Sequence, residues 1–155
     1  MSGRIEARLG ELGIELPQAA APVANYVPFA TSGGLVVISG QICVWNGERR
    51  FVGKLGGGIS IADGQQAARL CALNILAHLR VACGGDLDRV RRIVRLGGFV
   101  NCTPDFTEMP QIVNGASDLM VEVLGDAGRH ARAAVGTNAL PAGVSVEVEA
   151  VFEIE

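Results

Sequence analysis

Arg132 stands alone in an otherwise apolar run, Ala131 to Val135, and Glu147 and Glu149 alternate with valines in the segment that follows. A guanidinium is a planar fork of donors that grips a carboxylate with two parallel hydrogen bonds. A carboxylate on a neighbouring strand can handle protons or a water molecule. A hairpin or crossover between the two segments would bring Arg132 near Glu147. The plain alternative is a surface arginine and a row of solvated glutamates, since Glu149 shares its strand face with Glu147.

The elements that would hold these groups follow from the pattern. Val144, Val146 and Val148 alternate with Ser145, Glu147 and Glu149, the period of a half-buried strand with the valines inward and the polar residues outward. Pro141-Ala-Gly143 is the turn that feeds it. Upstream, Ser2 to Leu12 reads as a short helix, with Ile5, Leu9 and Leu12 on one face, Ser2 as its cap and Gly13 behind it. Pro17 to Pro22 is an extended linker. Asn25 to Thr31 and Leu35 to Ile42 read as strands around Ser32-Gly-Gly34. Asn46-Gly47 is the strongest hairpin signal and should fold Cys43-Val-Trp45 onto Arg50-Phe-Val52.

Gly53 to Gly58 reads as a flexible connection whose spacing is not that of a phosphate-binding loop. Ser60 caps the main helix, which runs to about Cys83 and buries Ala68, Cys71, Ala72, Ile75, Leu76, Leu79 and Cys83. His78 falls at its surface or core edge. A helical turn over Asp86 to Val90 leads into a strand from Arg91 to Cys102. A second long helix, Pro110 to Leu124, buries Ile112, Ala116, Leu119, Met120 and Val123. The order β-β-β-β-α-β-α-β-β predicts an α+β fold with both helices on one face of a mixed sheet.

Composition narrows the function. The chain of 155 residues is read as one domain, residues 1–20 being a helical extension and linker, and 49% hydrophobic residues are enough for a packed core. A net charge of −3 disfavours a phosphate-backbone partner. The one basic cluster, Arg89, Arg91, Arg92 and Arg95, has only Phe99 near it as an aromatic, so a solvated strand face or a subunit contact is the expected reading. Four cysteines with no CxxC pair and two histidines make no zinc pattern. Without a leader or a long apolar span, the expected place is the cytoplasm, away from the membrane.

An ordered set of short motifs adds a resemblance. Asn25-Tyr26-Val27, Ile38-Ser39-Gly40-Gln41, Asp105-Phe106 with Val113-Asn114, then Ala131-Arg132, Leu140-Pro141 and Val146-Glu-Val-Glu-Ala150 occur in family order over about residues 20 to 155. The chain resembles the RidA family, also called YjgF or the L-PSP endoribonuclease family. The resemblance implies a chorismate-mutase-like fold of the bacillus type, assembled as a homotrimer with clefts between subunits. It implies hydrolysis of 2-imino acids and their enamine tautomers to 2-keto acids and ammonia, with no cofactor and no metal. In that reading Arg132 grips the substrate carboxylate and Glu147 attends the water. Tyr26 closes the pocket from the neighbouring subunit, and Ser39, Gly40 and Asn114 bind substrate. Ala133 and Ala134 stand where active deaminases carry a polar pair, and the Thr107–Ile112 segment is longer than in the short form. A non-catalytic trimer that binds a small carboxylate is therefore the alternative; an endoribonuclease fits the acidic, aromatic-poor chain less well.

Overall fold

Residues 3–22 and 24–155 are described by the structure, a computed structural model. The elements are α1 (Arg4–Glu11), β1 (Phe29–Ser32), β2 (Leu35–Ile42), β3 (Val44–Trp45), β4 (Glu48–Arg49), α2 (Ile61–Ala82), β5 (Val90–Asn101), α3 (Met109–Leu124), β6 (Ala131–Thr137) and β7 (Val146–Ile154). Five strands form a sheet in the order β1-β2-β7-β5-β6, antiparallel except for the parallel pair β5 and β6. Helix α2 packs on β2 and β7, α3 packs on β5 and β6, and the helices pack on each other. This is the α+β arrangement expected.

Local chemistry sets the helix ends. Ser60 Oγ accepts from the Asp63 amide at 3.1 Å and starts α2. Gly84 and Gly85, both at positive φ, end it by donating to the carbonyls of Val81 and Arg80. Every residue expected on the buried faces of α2 and α3 is buried. The cap for α1 comes from far along the chain. The Asp88 carboxylate accepts the amides of Arg4 at 2.7 Å and Ile5 at 2.8 Å, which holds its carboxyl below the usual range. The expected Ser2 cap lies outside the described residues.

Two glycines bring α3 close enough to matter for the site. A Cβ at Gly98 of β5 would stand 2.5 Å from the Val113 side chain, and one at Gly115 of α3 only 2.0 Å from the Gln65 backbone oxygen. These contacts seat α3 directly on β5 and α2. Asn114 and Ser117 are thereby held over β6.

Some expectations are corrected. The first strand begins at Phe29, because Pro28 has no N–H for a ladder and Ala24 already turns at positive φ. Tyr26 is thus in an irregular segment and is 59% exposed. The Asn46-Gly47 turn forms with both residues at positive φ, yet the hairpin it closes is short, since Phe51 also adopts positive φ. Ser145 is buried rather than outward. It precedes β7, donating its amide to the Phe51 carbonyl and accepting from the Asn101 amide. The Gly53–Gly58 connection is tied down: Leu55 is buried and bridged to Cys102, and Lys54 Nζ donates to Asn101 Oδ1 at 2.7 Å.

Candidate functional site

Strand β6 is a sheet edge, and Arg132 sits on it opposite Leu96 of β5, in the row that faces the helices. Its Nη1 donates to Asn114 Oδ1 at 2.7 Å and to Ser117 Oγ at 3.2 Å. Both acceptors project from α3, three residues apart on one helical face. Nε and Nη2 make no hydrogen bond among the described residues. That free edge of the fork is the pair of donors able to take both oxygens of a carboxylate. Ser117 also touches His130: its Oγ is 2.9 Å from Nε2, while Nδ1 is 2.6 Å from the Gly128 carbonyl. Arg129, His130, Arg132, Ser117 and Asp118 line an open cavity of about 280 Å³.

A second group of residues gathers on β2 and β7. Gly40, at the bulge in β2, lies against the Glu147 carboxylate, and an added Cβ would be 2.9 Å from Oε2. Burial pushes the Glu147 carboxyl up, and the neighbouring charge of Glu149 adds to it. Ser39 donates its hydroxyl to the Val27 carbonyl at 2.7 Å and its amide to Pro28, so it fastens the Tyr26 segment to β2. Tyr26, Gly40, Gln41 and His78 line a cavity of about 250 Å³. His78 is 3% exposed, makes no hydrogen bond among the described residues, and has its imidazole pushed down by burial. Of the two placements expected, surface or core edge, it takes the core edge.

Within one chain Arg132 and Glu147 do not meet. Strand β5 runs between β6 and β7, so no hairpin joins them. Arg132 shares its row with Leu96 and Ala150, which face the helices. Glu147 shares its row with Phe99 on the open face. The site residues therefore form two groups: Arg132 with Asn114, and Glu147 with Gly40, Ser39 and Tyr26. Asn114 stands behind Arg132 with its side-chain oxygen taken up by the guanidinium. Ser117 was not singled out by the sequence. Its signal was the spacing: 114 and 117 share a helical face as 130 and 132 share a strand face.

The basic cluster is accounted for by local pairing. Arg91 lies 3.8 Å from Glu155, Arg95 lies 3.9 Å from Glu149, Arg89 donates to the Glu155 carbonyl, and Arg92 donates to the Arg129 carbonyl. All four cysteines are free and buried. No metal-ligating group of three occurs among the described residues, and no helix there is long and apolar enough to cross a membrane.

The sheet, its two covering helices and the arginine on the β6 edge define a chorismate-mutase-like α+β protein. The YjgF/chorismate mutase-like family, whose description carries an endoribonuclease label, matches residues 6–152. The chain belongs to this YjgF/RidA family. It is 48% identical over 154 residues to Protein TCP17 of Trypanosoma cruzi, covering 99% of this chain and 96% of that protein. The crystal structure of Atu1372 from Agrobacterium tumefaciens is similar at a TM-score of 0.91 and 49% identity, covering 97% of this chain and 92% of that one. Escherichia coli TdcF with bound serine is similar at 0.62 and 27% identity, over 90% and 94% of the two chains.

Proposed function

We propose that the protein is a hydrolytic deaminase of 2-imino acids and their enamine tautomers, yielding 2-keto acids and ammonia. The observation that carries this reading is the free Nε/Nη2 edge of Arg132, a side chain held in direction by Asn114 at the wall of a cavity. A carboxylate next to C=N needs a planar cation at one end and a placed water at the other. The iminium carbon is already electrophilic, so the protein need only orient it and move protons. Glu147, with its carboxyl raised by burial, is a stronger base than an exposed glutamate and suits the water.

The two groups of residues lie on different parts of the sheet, so a complete site calls for two copies. A head-to-tail contact repeated around a ring brings the Arg132 group of one copy to the Glu147 group of the next. The homotrimer implied by the family resemblance is such a ring. Apolar residues on the open sheet face, Leu35, Val37 and Val135, are exposed in the single chain, as an interface would require.

Incubation with freshly generated 2-iminobutanoate tests the reading. Faster ketobutyrate release than in buffer, lost in Arg132→Ala, supports it; a wild-type rate equal to buffer rejects it. The second reading, a carboxylate-binding trimer without turnover, is favoured by Ala133 and Ala134, since the two residues after Arg132 carry no hydroxyl or thiol. The TdcF structure with bound serine shows that a relative holds an amino acid. Calorimetry with 2-keto acids and amino acids separates the two readings.

A further inference from the structure

We propose that Ser117 and His130 complete the carboxylate grip of Arg132 and make it proton-gated, so that the anion binds more tightly when His130 is protonated. The inference rests on the carboxylate-binding reading above and adds two residues and a direction of pH response to it.

Hydrogen-bond direction carries the argument. The Gly128 carbonyl can only accept, so His130 Nδ1, 2.6 Å away, bears a hydrogen. In neutral imidazole Nε2 is then a lone pair, and the Ser117 hydroxyl donates to it at 2.9 Å. The Ser117 oxygen in turn accepts from Arg132 Nη1 at 3.2 Å. The chain Arg132 to Ser117 to His130 runs one way, and it spends the serine hydrogen inside the protein.

Adding a proton to His130 has one available place, Nε2. The new N–H donates to Ser117 Oγ, which already accepts from Arg132. The hydroxyl hydrogen is thereby released from the dyad to the cavity that Ser117, His130 and Arg132 line. An anion in that cavity, held end-on by Arg132 Nη2 next to Ser117, gains a hydroxyl donor and a second positive charge together. Neutral His130 offers neither.

The charged groups around the imidazole fit an anion site. Arg129 and Arg132 line the cavity with Asp118 of α3. Asp126 is turned to Arg129 at 3.7 Å, and Glu122 of α3 is paired with Arg69 at 3.3 Å. Arg92 of β5 reaches the Arg129 carbonyl at 3.1 Å. Three arginines thus stand near His130, with Asp118 the acid on the cavity wall.

The experiment is calorimetric binding of 2-ketobutyrate, ionised throughout, from about pH 8 to about pH 5.5, the range over which an imidazole changes charge. Wild type is expected to bind about tenfold more tightly at the acidic end, the effect of one added charge with its hydrogen bond. His130→Gln should bind without that pH response, and Ser117→Ala with a reduced one. Thermal melts at both pH values establish that each variant is folded, and Ser117→Ala serves if the histidine variant is not. A wild type that binds equally at both pH values overturns the inference. So does a folded His130→Gln or Ser117→Ala that keeps the full response. No binding of carboxylate at either pH rejects the underlying carboxylate reading as well, an outcome distinct from pH-independent binding.

Discussion

Arg132 donates through Nη1 to the side-chain oxygen of Asn114 at 2.7 Å, so the direction of the guanidinium on the sheet edge is set by a helix residue 18 positions earlier. The family resemblance implied that Asn114 binds substrate; in the structure it binds the residue proposed to do so. Removing it frees the fork without removing its charge.

Asn114→Ala is accordingly expected to weaken 2-ketobutyrate binding by about tenfold, the worth of one charge-assisted hydrogen bond. Arg132→Lys should lose more, because an ammonium is a point charge and cannot present two parallel donors. Calorimetry on both variants at one pH checks the order. Equal loss in the two would contradict it.

Glu147 gives a pH prediction whose sign follows from its burial. Its folded pKa is raised above the ordinary 4.5, so the folded chain holds the proton more tightly than the unfolded one. The stability this contributes is fully present below the ordinary value and is lost as pH rises through the folded pKa. Glu147→Gln should therefore raise the melting temperature at about pH 7 and add nothing at about pH 4. In the same variant the catalytic rate should collapse. Thermal melts and rates measured together distinguish a functional strain from a structural role.

Glycines on the helices make opposite stability predictions. Gly115→Ala drives a methyl into the Gln65 backbone oxygen, 2.0 Å away, and should cost about 3 kcal/mol or prevent folding. Gly10 lies in α1 with nothing within 4 Å of an added Cβ. Gly10→Ala should stabilise by about 0.5–1 kcal/mol through helix propensity. Urea midpoints read both.

The open sheet face predicts association. Val37 is 45% exposed and Val135 is 45% exposed in the single chain, on β2 and β6 respectively. Val37→Glu or Val135→Glu should shift the protein toward monomer in sedimentation velocity. A wild type that sediments as a monomer would contradict the two-copy site.

The sequence showed the fold wherever a local period carried it. The three-and-four spacing from Ala68 to Cys83 and from Ile112 to Val123 marked both helices, and Val146 to Val148 marked β7. What escaped was set by distant partners. Asp88 caps α1 from more than eighty residues away. Ser145 is buried because Phe51 and Asn101 claim its backbone. Arg132 and Glu147 looked like neighbours along the chain, but β5, parallel to β6, is inserted between their strands. No local pattern encodes that strand order. Ser117 was hidden for a related reason: its partner His130 lies beyond the end of α3.

In the proposed ring, one active site takes Arg132 from one copy and Glu147 from another. Co-refolding equal amounts of Arg132→Ala and Glu147→Gln chains measures it directly, with 2-iminobutanoate hydrolysis as the readout. Each variant alone should be inactive, and random mixing in a ring should rebuild about a quarter of the sites, since half the copies keep each residue. The mixture should recover about that fraction of the wild-type rate. A mixture as inactive as its two components would contradict it.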